Sequence, residues 1–287
     1  MSKIIEFGVA GNCDRFYAEG NKATLQMPGF LNKNGLDAYE VQFGRGVRMN
    51  DALAENLRKK AEEYNISLSV HAPYFISLSS VEEEKRDNSI NYIVQSAVAA
   101  DKLGAKRIVV HSGSCSKISR EEALELAKGT IKKAVNTLDD MGLSHIILCP
   151  ETMGKINQLG TLEEVIELCL VDERMIPTID FGHLNARTLG SVKGYEDYKN
   201  ILEKVEDKLG FDRMKIFHSH FSKIEWTENG GEKKHLTFED EIYGPFFEPL
   251  GEYIYKRNLC PTIICESAGT QTDDALKMKT IYEGYKK

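Results

Sequence analysis

Seven metal-capable side chains stand at or just after the ends of short apolar runs in this sequence. His71 closes S-V-H-A-P-Y, His111 closes V-V-H-S-G-S, and Glu151 stands in L-C-P-E-T. Asp180 and His183 share T-I-D-F-G-H, His218 lies in I-F-H-S-H, and Glu266 in I-I-C-E-S. Imidazoles and carboxylates without thiolates suit Zn2+, Mn2+ or Fe2+, and so many of them suit more than one ion. Two ions about 3.5–4 Å apart and bridged by a carboxylate generate a hydroxide nucleophile and stabilise the leaving oxygen of an in-line displacement, a layout suited to phosphodiester hydrolysis. One histidine after a strand is ordinarily a satisfied structural residue. Six consecutive strands that each end in His, Asp or Glu point instead to a metal site. His71 and Glu266 are 195 residues and five strand-to-strand steps apart, 39 residues per step, so these side chains recur once per βα unit.

The elements that must position them are eight apolar, β-rich runs: Ile4–Ala10, Ala38–Gly44, Ser67–Pro73, Arg107–Gly113, His145–Glu151, Ile176–His183, Lys215–Ser222 and Thr262–Ser267. Helical periodicity and composition fill the intervals Asp51–Tyr64, Val81–Leu103, Arg120–Met141, Leu162–Leu170, Tyr195–Leu209 and Asp273–Tyr285. Near-continuous apolar strands such as Ile-Val-Val and Ile-Ile-Leu are buried on both faces, as in a parallel sheet covered by helices. Eight strands alternating with helices predict an α/β fold, a closed (β/α)8 TIM barrel whose C-terminal strand ends gather on the face that carries the active site. An open doubly wound sheet is the alternative. Two units are less regular: Gly11–Gly35 is loop-rich with one helix, and Ser222–Phe247 is a long polar insertion before a final helical segment. No Pro/Gly/Ser linker or charge block divides the chain, so residues 1–287 are read as one barrel domain.

The 287 residues carry 37 Lys+Arg against 44 Asp+Glu, a formal charge of −7, which argues against an extended basic surface for nucleic acid but leaves room for a local basic groove. With 41% hydrophobic and 28% charged residues the chain is an ordinary globular one that can bury a large core. No run approaches the roughly 20 apolar residues of a membrane span, and the N-terminus lacks the apolar core of a signal peptide, so a cytoplasmic protein without a membrane partner is expected. Cys13, Cys115, Cys149, Cys169, Cys260 and Cys265 form no C-x-x-C pair and mostly sit in apolar runs, where reduced, buried thiols are expected.

The series H-A-P-Y, H-S-G-S, P-E-T, D-F-G-H, F-H-S and C-E-S, in that order over about two thirds of the chain, resembles the endonuclease IV family. These are the zinc-dependent apurinic/apyrimidinic endonucleases of the xylose-isomerase-like barrel superfamily. The resemblance implies that His71, His111 and Glu151 hold a first zinc and that Glu151 bridges to a second, completed by Asp180, His218 and Glu266. In the family a third zinc falls to the histidine of D-x-x-H, here His183, and to both ends of an Asp-Arg-His triplet after the seventh strand. Here that stretch reads Gly-Gly-Glu-Lys-Lys-His, so His235 matches and Lys233 stands where the Asp belongs. An ammonium ligates a dication only when deprotonated, and its charge repels one. Either Glu232 reaches the metal from three residues before His235, or Lys233 replaces the third ion as a fixed positive charge on the phosphate. The chain thus resembles a side branch of the family, or a relative that keeps only the two-metal core.

What the resemblance implies for activity is hydrolysis of damaged double-stranded DNA on the 5′ side of an abasic site, with Zn2+ or alternatively Mn2+, and with Glu151 and Glu266 as the catalytic carboxylates. Tyr74 matches a tyrosine that the family uses at the DNA gap. Arg45, Arg48, Lys223 and Lys233 are candidate phosphate ligands, or solvated loop charges. Glu40 either points into the barrel mouth or pairs with Arg45. His220 shares a strand face with His218 and is a spare ligand or a hydrogen-bonded neighbour of one. Trp226 either stacks on a base or anchors its loop; Cys149 and Cys265 read as core, and His145 as structural.

Two other functions fit parts of the pattern. A sugar isomerase or epimerase of the same superfamily needs Glu151, Asp180, His218 and Glu266 on a single Mn2+ or Co2+, with the two glutamates moving protons beside a carbonyl. Such a site does not require His71 and His111, whose presence favours the hydrolase. A metal-stabilised binding protein would close its coordination shell and leave no position for water. Two dications would bring the formal charge of −7 to −3, so the acidic balance does not exclude DNA, although any grip on it would be local and salt-sensitive. No obligate protein partner is evident.

Overall fold

The computed structural model describes residues 4–115 and 117–286; the first three residues of the segment read above for a signal peptide lie outside them. Each of the eight apolar runs contains a strand of one parallel sheet. These are β1 (Glu6–Ala10), β2 (Ala38–Gln42), β3 (Ser67–His71), β4 (Arg107–Val110), β5 (Ile147–Pro150), β6 (Thr178–Asp180), β7 (His218–Phe221) and, after a two-stranded hairpin of β8 (Ile224–Thr227) and β9 (Gly231–His235), β10 (Thr262–Cys265). The sheet order is β5-β4-β3-β2-β1-β10-β7-β6. Its two edges meet through a parallel bridge between Glu151 and Thr178, where Thr152 N–H donates to the Thr178 carbonyl at 3.0 Å, so the sheet nearly closes into the expected TIM barrel.

Alternation along the strands sorts the side chains. Phe7, Val9, Tyr39, Val41, Val70 and Phe221 face outward into the helix layer and join the continuous apolar core. Their neighbours face the lumen, where bonds cross between strands that are not adjacent. Arg107 of β4 donates to Thr262 of β10 (3.2 Å), and His218 of β7 lies 2.9 Å from Glu40 of β2. Gly8 lets β1 and β2 close up, since a Cβ there would lie 2.2 Å from the Ala38 carbonyl oxygen.

The covering helices follow from local sequence. Arg120–Asp140 begins at a capping box in which Ser119 accepts from Glu122 N–H, and it buries Ala123, Ala127, Ile131, Ala134 and Leu138 at helical spacing. Three segments differ from expectation, and the first is Gly11–Gly35, which holds two α-helices, Asp14–Ala18 and Met27–Lys33, where one was expected. The run ending at His183 is strand only to Asp180. There the Asp180 carboxylate accepts the backbone N–H of His183 at 2.7 Å and starts a helix over Phe181–Arg187. The polar insertion after β7 is also more ordered than its composition suggests, because it contains the β8–β9 hairpin.

Candidate metal centre

His71 is the last residue of β3, while His111, Glu151 and Glu266 each follow their strand by one; all four therefore stand at the C-terminal rim. Glu151 is the hub. Its Oε2 lies 3.3 Å from His71 Nε2 and 3.1 Å from His111 Nε2, and its Oε1 lies 2.9 Å from His220 Nδ1. Burial opposes ionisation of Glu151, yet the surrounding imidazoles of His220, His111 and His183 outweigh it and hold the carboxyl well below its usual range.

Among the described residues four groups each bring their ligand atoms within 4.8 Å of one another: three that share His220, namely His71, Glu151 and His220, then Glu151, Asp180, His220 and Glu266, then Glu40, His218 and His220; and, as the separate third site, His183, Glu232 and His235. The imidazole grouped with Glu151, Asp180 and Glu266 is thus that of His220, while His218, expected there, groups with Glu40 and His220. In the β6–β7 register Asp180 pairs with His220 while His218 pairs with Thr178, one layer deeper. At about 3.3 Å per residue, two residues along a strand move a side chain by more than a ligand bond length. His218 is fully buried against Glu40 and away from Glu151. The signal for His220 lies in the sequence: β7 runs on to Phe221, so the inward-facing residue nearest its end is His220.

The group of His183, Glu232 and His235 settles what happens around Lys233. Pairing shifts register between Glu225 and Trp226, so that Lys233 and Lys234 together oppose Glu225 while Glu232 pairs with Trp226. Such a bulge puts two consecutive side chains on one face. Both lysines accordingly reach outward to Glu225, Lys234 at 3.3 Å, and the Lys233 ammonium is directed away from the metal centre. Glu232 and His235, an odd three residues apart, both turn inward instead. Glu232 Oε2 is 3.5 Å from His183 Nε2, and the His183 and His235 rings meet edge to face at 5.6 Å. Of the two ways proposed for this stretch, the geometry follows Glu232.

The donor set fits divalent cations. Asp180 Oδ2 is buried with no hydrogen-bond donor. Burial first, then the charges of Glu266 and Glu151, push its carboxyl pKa up, while His183, opposed by burial, is carried up to about 10 by Asp180, Glu151 and Glu232. Buried carboxylates and imidazoles thus face one another across the same small space, the chemistry of a cation site. Four histidines, moreover, have a ring nitrogen held by a partner behind the cluster; that of His183 also lies 3.2 Å from Asp180 Oδ2 and 3.5 Å from Glu151 Oε1. His71 Nδ1 meets the Ala72 carbonyl (2.7 Å), His183 Nδ1 the Thr152 carbonyl (2.9 Å), His235 Nδ1 the Ser222 hydroxyl (2.8 Å) and His220 Nε2 the Glu40 carboxylate (2.9 Å). Partners of this kind fix the tautomer and ring orientation of metal-binding histidines.

Other candidate residues divide between the rim and the scaffold. Arg45 and Arg48 line a cleft of about 500 Å3 with Asn12, Tyr17, Gln42 and the Gly44–Gly46 backbone, and no carboxylate lines it. Tyr74 is 55% exposed at the end of the H-A-P-Y segment, free to meet a ligand. Lys223 is not available for phosphate, because its ammonium is buried and donates to the Phe238 and Asp240 carbonyls. Trp226 anchors its loop against Gly190 and Tyr243. His145 binds Asp101 at 2.8 Å, remote from the site, and Cys13, Cys149, Cys169, Cys260 and Cys265 are buried, Cys115 partly so. No helix among the described residues is long and apolar enough to cross a membrane.

Residues 29–280 match the family described as xylose isomerase-like TIM barrel. The chain is 35% identical over 253 residues to an uncharacterized protein of Methanocaldococcus jannaschii, covering 88% of this chain and 90% of that one. It is 28% identical to a probable endonuclease 4 of Mycoplasma genitalium, covering 85% and 79%. Among solved structures, a D-tagatose 3-epimerase-like protein superposes with a TM-score of 0.73 at 20% identity, covering 98% and 97%. At that identity the likeness speaks for the fold alone.

Proposed function

The chain belongs to the xylose isomerase-like TIM barrel family, and from that premise we propose that it is a metal-dependent phosphodiesterase that cleaves DNA 5′ to abasic sites. The observation that carries this reading is the number of donor groups. A one-ion site is complete with Glu151, Asp180, His220 and Glu266, yet His71, His111, His183, Glu232 and His235 crowd the same rim. Similarity to a probable endonuclease 4 supports the same class.

His71, His111 and Glu151 would hold one ion, Glu151, Asp180, His220 and Glu266 a second, and His183, Glu232 and His235 a third. Zn2+ is the expected metal and Mn2+ the alternative. When bound, such ions supply Lewis acidity and an activated water for attack at phosphorus. The chain's own residues then have separate tasks. Glu151, almost fully enclosed by imidazoles, keeps the groups in register. Glu266 is the more open carboxylate, 17% exposed, with its nearest imidazole 3.5 Å away, and it orients the attacking water and takes up its proton. Arg45 and Arg48 bind flanking phosphates in their acid-free cleft, and Tyr74 packs against the gap left by the missing base.

A second reading is favoured by the same four-donor group taken alone: Glu151, Asp180, His220 and Glu266 suffice for a one-ion sugar isomerase or epimerase. Incubation with a duplex oligonucleotide carrying one abasic site separates the two. Incision with zinc or manganese, lost by a factor of 100 or more (roughly the 10²–10⁴ of general acid–base catalysis) in Glu266→Gln, is expected. No incision with either metal, or full incision by Glu266→Gln, overturns the hydrolase.

A further inference from the structure

Glu40 lies inside the barrel on β2, fully buried, where a carboxylate is costly unless every lone pair is used. Here they are used. Oε1 receives His220 Nε2 at 2.9 Å and Gln42 Nε2 at 3.0 Å; Oε2 receives His218 Nε2 at 2.9 Å and the Ser69 hydroxyl at 3.0 Å. Four contacts from three strands hold one carboxylate beneath the metal centre.

We infer that Glu40 is the positioning residue of the centre. It anchors His220 through Nε2, so that His220 presents Nδ1 to the metal, and His218 serves to hold Glu40 in place. This rests on the metal-centre reading above and not on the reaction assigned to it. His220 stands apart from its companions in two respects. His71 has a backbone carbonyl and His235 a hydroxyl behind Nδ1, while His183 Nδ1 meets the Thr152 carbonyl and Asp180 Oδ2 (3.2 Å) and its Nε2 faces Glu232. His220 has an anionic partner behind Nε2 and directs Nδ1 at Glu151 (2.9 Å) and Glu266 (3.5 Å). A carboxylate behind an imidazole raises its basicity as a ligand more than a neutral acceptor does, so His220 is a stronger imidazole donor than His71 or His235, whose partners are neutral. The arrangement also explains why two histidines stand two residues apart on β7: one faces the metal, and the other secures the carboxylate that aims it.

Glu40, His218 and His220 could instead hold a cation among themselves, since their ligand atoms also cluster. That would require His220 to bind metal through both nitrogens as an imidazolate, in a place where hydrogen bonds already satisfy Glu40.

Two measurements on the zinc-loaded protein test the assignment, and neither involves DNA, so they stand or fall apart from the nuclease reading. Long-range 1H–15N correlation of the His220 ring should show Nε2 protonated and Nδ1 ligated. Ligation through Nε2, or no ring proton on His220, overturns the proposal. In Glu40→Gln, competition with a chromophoric chelator should show zinc held on the order of 10- to 100-fold more weakly, with the same number of ions bound at saturation and an unchanged circular dichroism spectrum. Unchanged affinity, or loss of one whole equivalent of zinc, overturns it. Should Glu40→Gln not fold, the wild-type ring correlation decides alone.

Discussion

At position 233 a lysine occupies the place of an expected acidic ligand, and we propose that Glu232, one residue earlier, takes that part. Glu232 faces His183 and His235, while Lys233 turns outward to Glu225. The two side chains therefore make opposite predictions. Glu232→Gln should cost one equivalent of bound metal, since a neutral amide replaces the only carboxylate of that group; Lys233→Ala should leave the metal content unchanged and alter any activity by less than about threefold, in line with the small worth of exposed ion pairs. Metal analysis of the two purified variants checks this. Loss of metal in Lys233→Ala, with Glu232→Gln intact, would put the lysine back at the centre. The choice between His218 and His220 has the same character: both lie on one strand face, and two residues of depth along the strand decide which of them meets Glu151.

The element that most directly carries the centre is the loop after β5, which bears Glu151 and lies against β9. Gly154 is essential there, because a Cβ would come within 2.6 Å of Glu232 Cβ and 2.9 Å of the His183 ring. Two arginines brace this loop through its carbonyls: Arg187 binds those of Met153, Lys155 and Gln158, and Arg120 those of Ile156 and Gln158. Glu164 grips Arg120 with both oxygens at 2.7 Å and also accepts the N–H groups of Gly160 and Thr161 at the start of its helix. Burial opposes the charge of Glu164, but Arg120 and these N–H groups prevail and lower its pKa from 4.5. A carboxyl lowered on folding contributes stability above its unfolded pKa and loses that contribution as pH falls through the folded value. Glu164→Gln should thus cost about 2 kcal/mol near pH 7, the scale of hydrogen bonds to a charged group, and the gap to wild type should shrink below pH 4.5. Thermal melts of both proteins from pH 7 downward give the answer; a gap that widens with acidity contradicts the assignment.

On the scale of the whole molecule, the barrel concentrates Glu40, Glu151, Asp180, Glu232 and Glu266 around one end of its lumen. Metal that binds only the folded chain stabilises it by about 2.7 kcal/mol when free ion is 100 times its Kd. At roughly 2–4 °C per kcal/mol for chains of 150–250 residues, chelation should lower Tm by about 5 °C or more, reversibly on adding zinc. A Tm indifferent to chelator would mean that the rim holds no ion. The sequence by itself determined the barrel and the gathering of metal-capable side chains at its strand ends. Eight apolar runs, spaced one βα unit apart, leave few other ways to bury both faces of a parallel sheet, and metal-capable residues at strand ends converge wherever such strands do. Tertiary structure alone decided that Glu232 rather than Lys233 lies beside His183, that Lys223 is consumed by backbone carbonyls, and that Glu40 hydrogen-bonds His218 and His220 across the lumen. Each depends on register, a bulge or a contact across the lumen. In a strand a shift of one residue reverses the facing of every side chain, and residue type carries no record of that shift.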